Sequence, residues 1–355
     1  MRLTISRSAL KQALRRLLLL SVLAGVTSAA PLAASPLAVY EGTDRQQRLI
    51  AGAKIEGSLN LYTVMGLEQM TVIVEAFEKK YGVKVNLWRA SSENVVRRVI
   101  TEAQAGRFEV DVVETGGPEL EALHREKLLR QVKSPHFSAL IAQALPAHGE
   151  WAGARVNIFV QAYNTEKIRA DELPKSYQDL LSPRWKGRLG VEAANLDWFA
   201  TLIKELGEEQ GLQLFKSLVA TNGLSVRKGH PILVGLVASG EIPLALATYG
   251  YFVDRLKKEK SAPVEWFLLP PAIVRVTGVA VPQKAPHPNA ALLFYDFMLS
   301  EAQPLLAKMD ITPASKKLMP QVGVALKFVD PAAMLDEAKK WQDLYDQIIV
   351  RQTAK

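Results

Sequence analysis

Cysteine is absent from the 355 residues. That excludes a thiol nucleophile, a disulfide framework, an iron–sulfur cluster and Cys-ligated zinc. Histidine is scarce: the five, His124, His136, His148, His230 and His287, show no metal-ligand spacing along the chain. No G-x-S-x-G elbow, H-E-x-x-H pair or G-x-x-x-x-G-K-[ST] loop occurs, so the common hydrolase, zincin and nucleotide-binding signatures are missing. Excess positive charge is scarcer than the net +8 suggests. Arg2, Arg7, Lys11, Arg15 and Arg16 supply five of the eight with no acid among residues 1–29, leaving +3 over the other 326. So mild and scattered a surplus argues against nucleic acid as a partner. Long apolar runs are missing after residue 26.

Residues 17–26 form a ten-residue apolar stretch, broken only by Ser21 and Gly25, behind the basic run. Thr27, Ser28, Ala29 and Ala30 follow with small side chains. A positive start, a short apolar core and a small-x-small site predict a secretory signal peptide cleaved after Ala29. The stretch is half the roughly 20 residues that a membrane span needs. With no cysteine behind it there is no lipid anchor, and a free exported protein is expected in the periplasm.

With 48% hydrophobic and 23% charged residues, the whole chain has a globular balance, and the remainder has the length of two lobes. Apolar and polar residues alternate over 58–63 and 83–88, and 109–113 reads as a third strand. Between them, Met70, Ile73, Val74 and Phe77, then Val95, Val96, Val99 and Ile100, recur at helical spacing. Ser92 is placed as an N-cap and Pro118 at a helix start. A β-α-β-α-β-α order predicts a mostly parallel sheet with helices on its faces, which takes ligands at the carboxyl ends of its strands. Further strands are expected over 156–163, 189–192, 244–247, 264–269 and 274–281. An amphipathic C-terminal helix follows, capped by Asp330.

Several separate segments carry a family resemblance. They are 162–165 (AYNT), 171–181 (DELPKSYQDLL), 183–187 (PRWKG), 276–280 (VTGVA), His287-Pro288 and 297–301 (FMLSE). In this order they resemble the extracellular solute-binding proteins of ATP-binding-cassette (ABC) importers, nearest the ferric-ion branch, over roughly residues 55–320. The resemblance implies an α/β, two-lobed periplasmic binding protein fold of type II, with the ligand cleft between lobes joined by crossing hinge strands. Expected boundaries are 1–29 signal peptide, 30–56 leader, 57–155 and 272–325 lobe 1, 156–271 lobe 2, and 326–355 C-terminal helix. It further implies a partner in an ABC permease of the inner membrane, a monomer, a small-molecule or ion ligand, and no catalysis. Hinge candidates are 151–159 and 270–276.

Ferric binders of this branch use two neighbouring tyrosines at a helix start, because hard Fe³⁺ prefers phenolate and carboxylate oxygens. Aligned on Arg255-Leu256, Tyr251 takes the first tyrosine position and Phe252 the second, with Tyr249 two residues away. The primary expectation is therefore a small polar or anionic solute, with ferric ion as the alternative cargo, Tyr249 and Tyr251 as its ligands, and no resident cofactor. Loops at the strand ends offer Tyr62, Thr63, Ser91, Ser92, Glu114 and Thr115, with Gly116 and Gly117 allowing close backbone approach. The second lobe offers Asn195 for hydrogen bonding and Trp198 for stacking. Arg227, Lys228 and His230 are possible positive charge. An exported hydrolase remains the remote alternative and needs a histidine beside a cleft serine.

Overall fold

The computed structural model describes residues 36–351; the predicted signal peptide lies outside them. Helix α1 (Arg45–Glu56) leads into β1 (Ser58–Thr63), α2 (Leu67–Tyr81), β2 (Lys84–Arg89), α3 (Ser92–Gln104), β3 (Val112–Gly116) and α4 (Gly117–Arg125). The long strand β4 (Trp151–Asn164) opens the second half, followed by β5 (Leu189–Glu192), α5 (Leu196–Glu205), α6 (Glu208–Asn222), β6 (Ser225–Arg227), α7 (His230–Ala238), β7 (Leu244–Tyr249) and α8 (Gly250–Lys260). Strands β8 (Val264–Phe267) and β9 (Ala272–Ala280) precede α9 (Pro288–Leu299), α10 (Ala302–Lys308), β10 (Leu326–Phe328), α11 (Pro331–Asp336) and α12 (Ala338–Tyr345).

These strands form one sheet in the order β2-β1-β3-β9-β4-β7-β5-β6, with β10 beside β9 and β8 beside β4. Pairing is parallel at both ends (β1 with β2 and β3, β5 with β6 and β7) and antiparallel through β3, β9, β4 and β7. Strand β4 pairs with β9 over Trp151 to Ile158, then with β7 from Phe159 onward. It therefore runs out of one half of the molecule and into the other. Each half has its own core. The first gathers Leu49, Leu61, Phe77 and Phe294, and the second Trp198, Phe199, Phe215, Trp341 and Tyr345. No helix among the described residues is long and apolar enough to cross a membrane.

Three expectations change on folding. The third strand is Val112–Gly116, not 109–113. Asp111 is fully buried and accepts from the backbone of Asn60 (2.8 Å) and His287 (2.6 Å), so the chain joins the sheet only after it. Glu114 and Thr115 are thus strand residues. Ser91, not Ser92, is the N-cap residue of α3, and its side chain makes no capping bond. The C-terminal helix is broken into α11, α12 and a π-helical turn, although Asp330 does cap it, accepting from Ala333 N at 3.0 Å.

Candidate functional site

Side chains alternate between the two faces of a strand, so the register shows which residues share the face between the halves. Thr63 lies opposite Glu114, Gly116 opposite Thr277, Arg155 opposite Thr277, Asn157 opposite Arg275, and Phe159 opposite Tyr249. These residues form a polar track across the centre of the sheet. Arg155 Nε donates to Glu114 Oε1 (3.0 Å) and its Nη1 to Asn157 Oδ1 (2.9 Å), while Asn157 donates to Thr277 Oγ1 (3.0 Å). Glu114 also accepts from Thr63 Oγ1 (2.6 Å) and from the backbone of Val64 (3.1 Å) and Met65 (3.2 Å). Arg275 is held by Glu119 in the first turn of α4 (2.6 Å) and Asp197 in the first turn of α5 (3.1 Å). Gly116 has a specific reason to be glycine: a Cβ there collides with the Arg275 guanidinium.

Above this floor stand two tyrosines. Tyr249 ends β7 and Tyr251 lies in the first turn of α8. Their rings stack with centroids 5.8 Å apart and planes 12° apart. Tyr249 is braced by Phe159 (5.0 Å) and His230 (4.3 Å). Neither hydroxyl makes a hydrogen bond among the described residues. Burial raises both phenol pKa values, Tyr251 to about 12, while Arg155 opposes the shift at Tyr251 and Arg275 at Tyr249. Glu68 on α2 reaches Arg255 on α8 (3.5 Å), joining the two halves.

The buried floor carries three carboxylates (Glu114, Glu119, Asp197) against two guanidinium groups (Arg155, Arg275), and both cations are engaged. Burial raises the Asp197 carboxyl above its ordinary range, and Arg255 and Arg89 add positive charge beside Tyr251. Arg89, exposed on β2, is close enough to Tyr251 to pull its pKa down and makes no ion pair among the described residues.

Of the residues expected from sequence, Tyr249, Tyr251, Glu114, Thr63 and Gly116 meet on this face and His230 packs behind Tyr249; the others lie elsewhere. Tyr62 points to the opposite face, donates to Glu102 (2.9 Å) and packs edge-on against Trp88. Thr115 also alternates away from Glu114 and is buried. Ser91 is exposed and Ser92 half-buried at the start of α3, with no bond to the track. Asn195 is committed to the backbone, donating to Ala247 O (2.9 Å). Trp198 cannot stack on a ligand: it is 0% exposed, wedged between Tyr177 and Phe215. Arg227 leans on Glu241, and Lys228 is exposed. His230 is no source of positive charge, because burial, helped by Arg275, pushes its imidazole down to about 3. Sequence reading missed Arg155, Asn157, Arg275 and Thr277. The available signal was their recurrence at every second position within otherwise apolar strands.

Residues 117–347 match the model of a family described as bacterial extracellular solute-binding protein. The chain is 27% identical over 230 residues to the Fe(3+)-binding periplasmic protein of Serratia marcescens, covering 62% of this chain and 67% of the relative. It is 25% identical over 267 residues to iron uptake protein A1 of Synechocystis, covering 70% and 73% respectively. Among solved structures, iron-bound HitA from Pseudomonas aeruginosa superposes with a TM-score of 0.72 at 26% identity, covering 82% of this chain and 99% of that one. The architecture is accordingly that of the two-lobed binding proteins, with the cleft between lobes joined by β4 and β9.

Proposed function

Because the chain belongs to the bacterial extracellular solute-binding proteins, we propose that it captures ferric ion in the interlobe cleft and delivers it to an ABC permease in the inner membrane. The observation that carries the cargo is the Tyr249–Tyr251 pair: two stacked phenols with unbonded hydroxyls, over a floor in which carboxylates outnumber cations. Phenolate oxygens suit hard Fe³⁺, and the similarity to iron-binding relatives supports the same reading. An anionic organic solute is the second reading, favoured by Arg89 near Tyr251, which makes no ion pair among the described residues.

In this reading the first lobe comprises 57–155 and 272–325 and the second 156–271. Closure pivots on β4 and β9, and bound cargo selects the closed arrangement in which Glu68 meets Arg255. The protein works as a periplasmic monomer, binding and releasing without catalysing a reaction.

Both phenols are protonated at neutral pH, since burial holds them above their ordinary pKa. Each must lose its proton to become a ligand, so binding releases two protons. Ferric affinity is therefore expected to rise about 100-fold per pH unit between pH 6 and 8. The check is competition against citrate, corrected for citrate's own titration. A pH-independent affinity refutes phenolate ligation.

A further inference from the structure

Two histidines that show no ligand spacing along the chain are brought together at the end of α4 away from Arg275. Helix α4 carries Glu121 and His124 one turn apart, and the segment entering β4 carries His148 and Glu150. One ligand atom from each of Glu121, His124 and His148 lies within 4.8 Å of the other two. The imidazole rings stack with centroids 3.8 Å apart and planes 11° apart. His124 Nδ1 lies 2.7 Å from Glu150 Oε2. A carboxylate there keeps the ring proton on Nδ1 and presents Nε2 as a lone pair, which is how second-shell carboxylates orient metal-bound imidazoles. His148 Nε2 lies 3.3 Å from Glu121 Oε2, and Glu121 is only 9% exposed. Glu121 Oε1 leans on Arg125 at 3.5 Å, and Arg125 is itself paired with Asp336.

We propose that Glu121, His124 and His148 form a second site, separate from the cleft, for a divalent transition metal of the Zn²⁺ type, with Glu150 as the residue that orients His124. Two imidazoles and one carboxylate are a borderline donor set suited to Zn²⁺ rather than to Fe³⁺, and three protein ligands leave a fourth position for water. Coordination through His148 Nε2 moves that ring's proton to Nδ1 and gives up the 3.1 Å bond from Glu150 N–H. Both rings would have to leave the stack, whose planes are now 11° apart, to direct their lone pairs at one ion. The metal would link α4, whose first turn holds Arg275 through Glu119, to His148, three residues before β4 begins at Trp151. It thereby staples a first-lobe helix to the crossing strand.

The test is Zn²⁺ titration of chelator-stripped protein, purified after export, by calorimetry and by melting temperature. One Zn²⁺ per chain is expected, with a melting temperature that rises with Zn²⁺ concentration. Binding should persist in Tyr249→Phe/Tyr251→Phe and disappear in His124→Ala/His148→Ala. Glu150→Gln should weaken it about 10- to 100-fold, the usual loss for an outer-shell partner. Circular dichroism of the double-histidine variant without metal separates a lost ligand from a lost fold, and Glu150→Gln carries the test if that variant does not fold. The proposal fails if Zn²⁺ binds no tighter than about 1 mM. It fails equally if the double-histidine variant binds like the parent, or if binding follows the tyrosines instead.

Discussion

Replacing Tyr251 by Phe is expected to remove ferric binding and the visible phenolate-to-iron absorption, while leaving melting temperature almost unchanged. The substitution deletes one oxygen, and that hydroxyl makes no hydrogen bond among the described residues, so folding loses little. The ring remains to pack on Tyr249 and Phe252. The loss in affinity should exceed the roughly 100-fold that outer-shell substitutions alone can cost a metal site. Tyr249→Phe should behave in the same way, since its ring is fixed by Phe159 and His230 rather than by its oxygen. Phe252→Tyr in the parent, by contrast, is expected to leave the spectrum unchanged if the ligand pair is Tyr249 with Tyr251, as proposed. Equilibrium competition with citrate and the visible spectrum check all three. Parent-like iron affinity in Tyr251→Phe removes the tyrosines from the site.

Glu114→Gln is expected to destabilise the protein by about 3–5 kcal/mol, the cost of leaving one partner of a buried ion pair uncompensated. Glu114 is completely buried and the Arg155 side chain is 7% exposed. The carboxylate also gathers Thr63 Oγ1 at the end of β1 and the backbone N–H groups of Val64 and Met65 just after it, tying three strands together. The contrast is Glu68→Gln. That pair with Arg255 is exposed, and its loss should cost about 0–1 kcal/mol. Urea unfolding of both variants, with unchanged m-values, makes the comparison. A loss below about 1 kcal/mol for Glu114→Gln would mean that solvent relaxes around Arg155 and that the polar track is not a rigid floor.

How much of this was legible in the sequence follows from the range of each signal. Helix α2 was readable because Met70, Ile73, Val74 and Phe77 recur at one period within a single element, and all four are buried as that period requires. Strand β3 was misplaced because Glu114 and Thr115 look like loop residues. Glu114 is tolerated in a buried strand only because Arg155, 41 residues later, arrives to neutralise it. No local pattern carries that partnership. Trp198 follows a strand and opens a helix, which suits either ligand contact or core. Phe215, on the next helix, settles it as core. Tyr249 and Tyr251 were legible through family resemblance, but their stacking was not, because it depends on the turn from β7 into α8. The histidine pair was invisible for the same reason as Glu114: His124 and His148 are 24 residues apart, joined only by the docking of α4 beside the start of β4.

Native mass spectrometry of the protein, released gently from the periplasm without added ligand, reads the cargo itself alongside the visible spectrum. The expected result is the mature mass plus one iron, with a phenolate-to-iron band that disappears on acidification. An organic adduct with no iron, and no band after ferric citrate is added, would contradict it and assign the cleft to a solute met by Arg89.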